Sequence, residues 1–385
     1  MPLAVKGLEG IVASETNMSF IDGEKGILEY VGISIDDLAR NSTFEETTYL
    51  LWNRKLPTRP ELEAFTAEFR SLYNLPAGMI DRITSVPKTA QPMHMLRTMV
   101  SSLAMYDADP NVNDPASARS KALAVLASTP AIIAAFDRYR RGLPVVAPRK
   151  DLTFAANFLY MLNGEVPTDA VARAFDVCMI LHADHGLNNS TFTARVIIST
   201  LSDVYSALTG AIGSLRGPLH GGANEEVMEM LGEIEAQAKA AGKNVMDMVE
   251  PYVMGRLAKK DRIMGFGHRV YKTIDPRATF LKTFSKQIAT DTGNLPLYEI
   301  SSKIEQVMAR EVGAKGIYPN VDFYSATTYH SIGLKLDLFT PVFAMSRNSG
   351  WSGHIIEQLS ENRLFRPAAA YVGPHGVPYV AMDSR

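Results

Sequence analysis

The stretch PTDAVARAFDVCMILH, residues 167–182, has the periodicity that decides the fold class of this chain. Its apolar side chains recur at helical spacing and share one face: Val171, Ala174, Phe175, Cys178 and Met179. The Pro-Thr-Asp sequence at 167–169 is typical of a helix start. A long amphipathic helix is therefore predicted here, with Cys178 packed in its apolar stripe.

Helical patterns continue on both sides of this segment. An apolar stripe runs through 298–312 and ends at Gly313 and Gly316. The segments 44–53 and 117–138 are also predicted to be helices.

Strand patterns are few. The segments 11–14 and 26–30, on either side of an Asp-Gly turn at 22–23, predict a small hairpin, and 371–372 and 379–380 predict short extended pieces. Since strands and helices do not alternate, the sequence predicts a mostly α fold of many packed helices rather than a doubly wound sheet.

Composition excludes several classes of protein. The 385 residues carry 39 basic and 41 acidic side chains, a net charge of −2, so neither a generally basic nucleic-acid binder nor an acidic disordered protein is expected. Hydrophobic residues make up 46% and charged residues 21%, as in an ordinary globular protein. This length is enough for two or three domains with large cores.

Cysteine content and the N-terminus indicate the compartment. Cys178 is the single cysteine, which excludes an intrachain disulfide and a thiolate metal cluster and favours a reducing compartment. Residues 1–7 lack the pattern of a signal peptide, and no apolar run reaches about 18 residues, so no membrane span is expected. We therefore expect a soluble cytoplasmic protein.

Three glycine- and histidine-rich breaks interrupt the helices, at 182–190, 213–224 and 264–277. Loops of this kind on a rigid scaffold often carry chemistry. In the first break, His182 and His185 flank Asp184. A metal site is one interpretation, but the sequence has neither a His-Glu-x-x-His pattern nor a cysteine pair. A histidine with a purely structural role is the alternative for His182.

In the second break, glycines surround His220 just before an apolar helical stripe. At a helix N-terminus the dipole disfavours the imidazolium, so a neutral imidazole could donate a hydrogen bond to a thioester or ketone oxygen. A glycine-rich turn whose histidine caps the helix is the alternative.

The third break has the sequence Gly-Phe-Gly-His-Arg-Val-Tyr-Lys at 265–272, followed by Asp-Pro-Arg at 275–277. Its Gly-x-Gly lacks the third glycine of a dinucleotide fingerprint. Lys272 and Arg277 suit phosphate and carboxylate groups respectively, or they belong to a solvated basic loop.

Three further charged residues are candidates for a site. Asp322 lies among apolar and aromatic residues at a predicted helix start, where it is either a cap or a base. Arg347 follows an apolar run, and Arg366 follows another helix; surface charge is the ordinary interpretation of both.

Taken together, these motifs resemble the citrate synthase family in its shorter bacterial and archaeal form, over nearly the whole chain. The resemblance rests on Gly-Pro-Leu-His-Gly-Gly-Ala-Asn at 217–224, on the 265–277 motif and on Pro-Asn-Val-Asp-Phe-Tyr-Ser at 319–325, in the family's order and spacing. It implies an acyltransferase that condenses acetyl-CoA with oxaloacetate and hydrolyses citryl-CoA to citrate and CoA, the entry to the tricarboxylic acid cycle.

The resemblance also implies residue roles. His220 would hydrogen-bond the thioester carbonyl, Asp322 would remove a methyl proton as general base, and His268 would polarise the ketone of oxaloacetate. The residues that would hold oxaloacetate are His185, Asn189, Arg277, Arg347 and Arg366, the last from the second subunit of a homodimer. Those that would hold CoA are Ile263, Met264, Gly265, Phe266, Gly267 and Lys272. No metal and no cofactor is expected, since acetyl-CoA is a substrate.

The family's architecture implies a large helical domain formed by 1–221 and 334–385, with a smaller helical CoA-binding domain, 222–333, inserted in it. Assembly beyond a dimer stays open. Two family motifs differ here, reading Tyr-Val-Gly at 30–32 and Trp-Ser-Gly-His at 351–354.

A 2-methylcitrate synthase that uses propionyl-CoA is the alternative activity, because one methylene is worth only about 1–3 kcal/mol of discrimination. A non-catalytic helical regulator or assembly protein is the remote alternative.

Overall fold

Sixteen α-helices dominate the part of the chain that the structure describes, so the predicted mostly α fold is confirmed. The structure is a computed structural model and describes residues 5–8, 10–112 and 114–385. Residues 1–4, part of the segment considered for a signal peptide, and Glu9 lie outside the described residues. The helices are α1 (Ile35–Asn41), α2 (Phe44–Asn53), α3 (Arg59–Ser71), α4 (Met79–Thr84), α5 (Pro92–Leu103), α6 (Pro115–Arg140), α7 (Phe154–Asn163), α8 (Asp169–His182), α9 (Asn189–Ser199), α10 (Val204–Leu215), α11 (Ala223–Ala241), α12 (Val245–Ala258), α13 (Pro276–Asp291), α14 (Leu295–Val312), α15 (Val321–Ser331) and α16 (Phe339–Ser360).

The helix predicted from 167–182 is α8. Thr168 caps it, its side chain accepting a hydrogen bond from the N–H of Val171. The predicted stripe packs in the core, with Phe175 and Cys178 fully buried. The predictions for 44–53, 117–138 and 298–312 are likewise confirmed by α2, α6 and α14.

The small sheet corrects the strand predictions. Its strands are β1 (Ser19–Asp22), β2 (Ile27–Tyr30) and β3 (Ile33–Ser34), paired antiparallel in that order. The 11–14 segment is not a strand, because the Asp22 carboxylate accepts the N–H groups of Glu24 and Lys25 and so fixes a turn that pairs the residues immediately beside it. The short extended pieces predicted at 371–372 and 379–380 belong to no strand, and they are exposed.

Helix α16 runs through the molecule and packs against α2, α6, α8, α9 and α10. Nearly all of it is buried, from Phe339 to Ile355. One described helix, α6, has the length and composition of a membrane span, but 89% of its most apolar window is buried inside the protein, as in a core helix.

Helices α11 to α15 form a second group. Helix α11 packs on α12 and α15, and α13 packs on α14 and α15. This group meets the remaining helices where α13 contacts α1 and α8 and where α11 contacts α16. The loops that carry the three sequence breaks lie at these junctions.

Candidate active site

The candidate residues come from loops between helices and from two helices, in distant parts of the sequence. His185 lies between α8 and α9, His220 between α10 and α11, and His268 between α12 and α13. Asp322 is in the first turn of α15, and Arg347 lies within α16.

Two histidines and a tyrosine form an aromatic cluster at the centre of these segments. The ring centroids of His185 and His268 are 5.3 Å apart, and the Tyr271 ring lies 5.6 Å from His185 and 4.8 Å from His268. His185 Nε2 lies 3.2 Å from the Tyr271 hydroxyl. Burial and the nearby charge of Arg277 lower the pKa of His185 well below its usual value, so this imidazole is neutral at pH 7.

Hydrogen bonds set the tautomer of His268. Its Nδ1 accepts the backbone N–H groups of Val270 at 3.0 Å and Tyr271 at 3.2 Å. Burial, assisted by the charge of Arg277, lowers the pKa of His268 to about 4. A neutral imidazole whose Nδ1 accepts must carry its proton on Nε2, so His268 can donate one hydrogen bond to a ligand.

Hydrogen bonds also set the tautomer of His220, but here the accepting nitrogen is Nε2 instead of Nδ1. Its Nε2 accepts the backbone N–H of Ser190 at 3.3 Å and lies 2.9 Å from the Ser190 hydroxyl oxygen. Burial and the charge of Arg347 lower its pKa to about 4. Because the backbone N–H can only donate, the proton of the neutral ring lies on Nδ1. His220 precedes α11 by three positions, with Gly222 as the cap, so its own side chain does not cap the helix.

The 263–267 loop and the start of α15 are joined by backbone hydrogen bonds. Gly267 N–H donates to Tyr318 O, and Asn320 N–H donates to Gly265 O, both at 2.9 Å. Gly265 has φ +78°, and a Cβ there would lie 2.8 Å from Phe323 and from Val227, so the close approach requires glycine. This junction holds His268 and Asp322 in a fixed relation.

Asp322 is not the cap of its helix. Asn320 is the cap, its side chain accepting the N–H of Asp322 at 3.0 Å. Burial raises the pKa of the Asp322 carboxyl to about 6, with Arg277 opposing the shift and Asp275 reinforcing it. A carboxylate with this pKa is a stronger base than an ordinary aspartate and is still ionised at pH 7.

Two buried arginines supply positive charge. Arg277 makes a two-pronged ion pair with Asp275, at 3.0 Å from Nε and 2.8 Å from Nη2. Burial lowers its pKa, but the Asp275 carboxylate more than offsets this and raises it. Arg347 is 2% exposed, so its interpretation as a surface charge was wrong. Its Nε donates to His182 O at 2.7 Å, and burial lowers its pKa to about 10.

The other residues predicted to hold oxaloacetate or CoA are partly or fully exposed, apart from two in the 263–267 loop. Asn189 opens α9 and is exposed, and Lys272 is exposed with its Nζ 3.4 Å from Arg269 O. Ile263 and Gly265 are buried, whereas Met264, Phe266 and Gly267 are partly exposed. Arg366 is exposed in the segment after α16, and no contact in the described part of the chain joins it to the cluster.

Sequence reasoning missed three residues of the site. Ser190 contacts His220, and the Trp351 indole N–H donates to the Ser190 hydroxyl at 3.0 Å. Tyr271 contacts both His185 and His268. Tyr271 lies in a motif that was noticed, but neither Ser190 nor Trp351 has a local pattern that indicates chemistry.

The geometry therefore combines two neutral imidazoles that can each donate a hydrogen bond, one carboxylate with a raised pKa, and two buried guanidinium groups. Such a set can take a proton from a weakly acidic carbon, stabilise the oxyanion that forms, and hold an anionic partner.

Known proteins are similar to this chain over its whole length. The family model described as the citrate synthase C-terminal domain matches residues 7–368. Citrate synthase 2 of Bacillus subtilis is 48% identical, covering 99% of both chains, and a 2-methylcitrate synthase of Mycobacterium tuberculosis is 42% identical, covering 96% of this chain and 90% of the relative. The solved structure of the Thermoplasma acidophilum citrate synthase, a ternary complex with carboxymethyl coenzyme A and oxaloacetate, superposes with a TM-score of 0.91 at 35% identity, covering 99% of both chains.

The fold and the matches define an acyltransferase of the kind that forms a carbon–carbon bond. The chain belongs to the citrate synthase family.

Proposed function

We propose that this enzyme condenses acetyl-CoA with oxaloacetate and hydrolyses the resulting citryl-CoA to citrate and CoA. One observation carries the proposal: His220 and His268 each have one ring nitrogen occupied as an acceptor and the other protonated, in a site that also holds the raised-pKa carboxylate of Asp322. The Thermoplasma acidophilum relative binds oxaloacetate together with a coenzyme A derivative, which supports this substrate pair.

In the first step, Asp322 removes a proton from the acetyl methyl group. This proton is a very weak acid, so the carboxylate needs help from a hydrogen bond to the developing enolate oxygen. His220 Nδ1–H supplies it at the thioester carbonyl, a contribution of several kcal/mol if it resembles other oxyanion donors.

In the second step, the enolate carbon attacks the ketone carbon of oxaloacetate, and the oxygen of the former ketone takes up the proton of His268 Nε2. His268 Nε2–H polarises that ketone, and His185 contacts the same substrate. Arg277 and Arg347 bind the two carboxylates, because a guanidinium matches a carboxylate in shape and charge. Asn189 completes this pocket, and the 263–267 loop with Lys272 holds CoA.

Water then hydrolyses the thioester of citryl-CoA, which releases citrate and CoA. No step requires a metal or a redox cofactor. We propose that the enzyme needs neither and that it works in the cytoplasm.

Closure of a smaller domain over the substrates fits this chemistry, because water must be excluded until condensation is complete. We place that domain at 222–333, inserted between 1–221 and 334–385. The backbone N–H of Lys272 donates to Gly23 O at 2.9 Å, so the turn between β1 and β2 already contacts the proposed smaller domain, and opening that domain would break this hydrogen bond.

The acyl group is the part of the proposal to test first. We expect kcat/KM to be higher for acetyl-CoA than for propionyl-CoA at saturating oxaloacetate. Steady-state assays of CoA release with both thioesters measure this. A higher kcat/KM for propionyl-CoA would instead assign the chain to the 2-methylcitrate synthases, which are also among its relatives.

We further propose a homodimer in which Arg366 of each subunit completes the partner's oxaloacetate site. The segment after α16 is largely exposed, with apolar side chains that a second copy would cover: Leu364, Tyr371, Val372, Val377, Tyr379 and Val380.

Mixing two inactive variants tests this arrangement. Co-expressed Arg366→Ala and Asp322→Ala chains should recover about a quarter of wild-type activity, because about half of the dimers are mixed at random and each has one intact site of two. If Arg366 acted within its own subunit, or if light scattering showed an active monomer, no such recovery would occur and the shared site would be refuted.

A further inference from the structure

A buried cluster of charges lies directly behind the His185 loop. Asp184 and His354 are both 0% exposed, with His354 Nε2 3.3 Å from Asp184 Oδ1. The other ring nitrogen, Nδ1, lies 3.6 Å from Glu357 Oε2. Burial lowers the pKa of His354, but the two carboxylates more than offset this and raise it. An imidazole that faces a carboxylate on each side is best matched as the imidazolium.

The cluster is tied to the substrate side through the backbone. Gly350 N–H donates to Ala183 O at 3.0 Å, and a Cβ on Gly350 would lie 2.5 Å from Asp184 Oδ1, so only glycine allows α16 to approach this loop. The Tyr30 hydroxyl donates to Asp184 O at 2.8 Å and accepts from Asp184 N–H at 3.1 Å. Asp184 is therefore held in place, and the next residue is His185.

The same carboxylate lies within electrostatic range of Arg347, where it partly opposes the lowering of the Arg347 pKa by burial. Arg347 stands seven positions before His354 and so on a similar face of α16. In the described part of the chain its one hydrogen bond is from Nε to His182 O, which leaves both terminal nitrogens for a ligand. An unpaired Asp184 carboxylate would compete for them.

Two side chains and one backbone group prevent that competition, the backbone group being the Gly186 N–H, which donates to Asp184 Oδ2 at 3.2 Å. His354 faces Asp184 Oδ1, and the Ser19 hydroxyl of β1 donates to Asp184 Oδ2. Glu357, on the far side of His354, has its own cations, with Arg195 at 2.9 Å and Arg54 at 3.3 Å. Because these two arginines already neutralise Glu357, the positive charge of His354 remains available to neutralise Asp184.

We infer that His354 is a positioning residue for oxaloacetate: paired with Asp184, it fixes the His185 loop and keeps the terminal nitrogens of Arg347 free for a substrate carboxylate. The inference rests on the proposed function of this site. It assigns to His354 no contact with the substrate, so its effect should appear in the binding of the dicarboxylate and not in proton abstraction.

Removing the charge of His354 tests the inference. His354→Gln keeps polar groups of similar size, and we expect it to raise the KM for oxaloacetate about tenfold, with kcat and the KM for acetyl-CoA nearly unchanged. The double variant Asp184→Asn/His354→Gln should recover much of the lost affinity, because the competing carboxylate is gone. His330→Gln, on the exposed last turn of α15, is the matched control and should leave all three constants unchanged.

An unchanged KM for oxaloacetate in His354→Gln, or equal changes in kcat and both KM values, would overturn the inference. If that variant does not fold, Ser19→Ala removes the other side-chain partner of the Asp184 carboxylate, and we expect a smaller rise in the same KM. No rise would overturn the inference as well. Failure of the proposed function looks different, because wild-type enzyme would then form no citrate. Calorimetric titration of oxaloacetate still compares the variants in that case.

Discussion

Replacing Asp322 with alanine should lower kcat at least about a hundredfold, the usual effect of losing a general base. Burial raises the pKa of this carboxyl to about 6, and no side chain in the described part of the chain donates a hydrogen bond to it. It therefore faces the site as a free base. Steady-state assays at saturating acetyl-CoA and oxaloacetate measure the loss.

The pH profile gives the same prediction a second readout. The base acts only when ionised, so wild-type kcat/KM for acetyl-CoA, which reports the groups of the free enzyme, should rise with pH through about 6 and then level off. His220, with a pKa of about 4, stays neutral over that range. The residual activity of Asp322→Ala should lack this rise. Asp247→Ala removes an exposed acid from the first turn of α12 and is the matched control. A kcat of Asp322→Ala within tenfold of wild type would refute the assigned base.

Replacing His220 with alanine should lower kcat by about 10²–10³, the range found when one oxyanion donor is removed. The Ser190 N–H and hydroxyl hold its Nε2, so the Nδ1–H is the group that is lost. Because His220 is assigned to the thioester and not to oxaloacetate, the KM for oxaloacetate should change little. Steady-state kinetics with both substrates varied measure the two effects separately.

The control for His220 is His330→Ala, which removes an exposed histidine from α15. It should behave as wild type. If His220→Ala weakened oxaloacetate binding as strongly as it slowed turnover, the two histidine assignments would have to be exchanged between the substrates.

Local patterns predicted most of the helices, because helical periodicity and caps depend on residues close in sequence. The stripe through Phe175 and Cys178 and the Thr168 cap are examples. The prediction of a strand at 11–14 was wrong for the opposite reason. Apolar residues alone do not determine which segment a strand pairs with. The turn at Asp22 paired its immediate neighbours instead, and Ile11 and Val12 remain exposed.

In the candidate site too, local motifs could be predicted from the sequence, whereas features that depend on long-range packing could not. His220, His268 and Asp322 stand in conspicuous motifs, so the sequence could indicate them through the family resemblance. Arg347 looked like a surface charge because its burial results from helices packed around all of α16, which no local pattern reveals.

Contacts between segments that are distant in the chain could also not be predicted from the sequence. The link from Trp351 to Ser190 spans 161 positions, and the pairing of His354 with Asp184 depends on a close helix approach at Gly350. Such contacts follow from the three-dimensional packing and not from spacing along the chain.

The central claim is that one site removes a methyl proton from acetyl-CoA and joins that carbon to oxaloacetate. Mass spectrometry of the product from methyl-trideuterated acetyl-CoA, in ordinary water with wild-type enzyme and oxaloacetate, tests it directly. The account predicts free CoA and citrate that retains two of the three deuterons. Trideuterated acetate and CoA without citrate would contradict it.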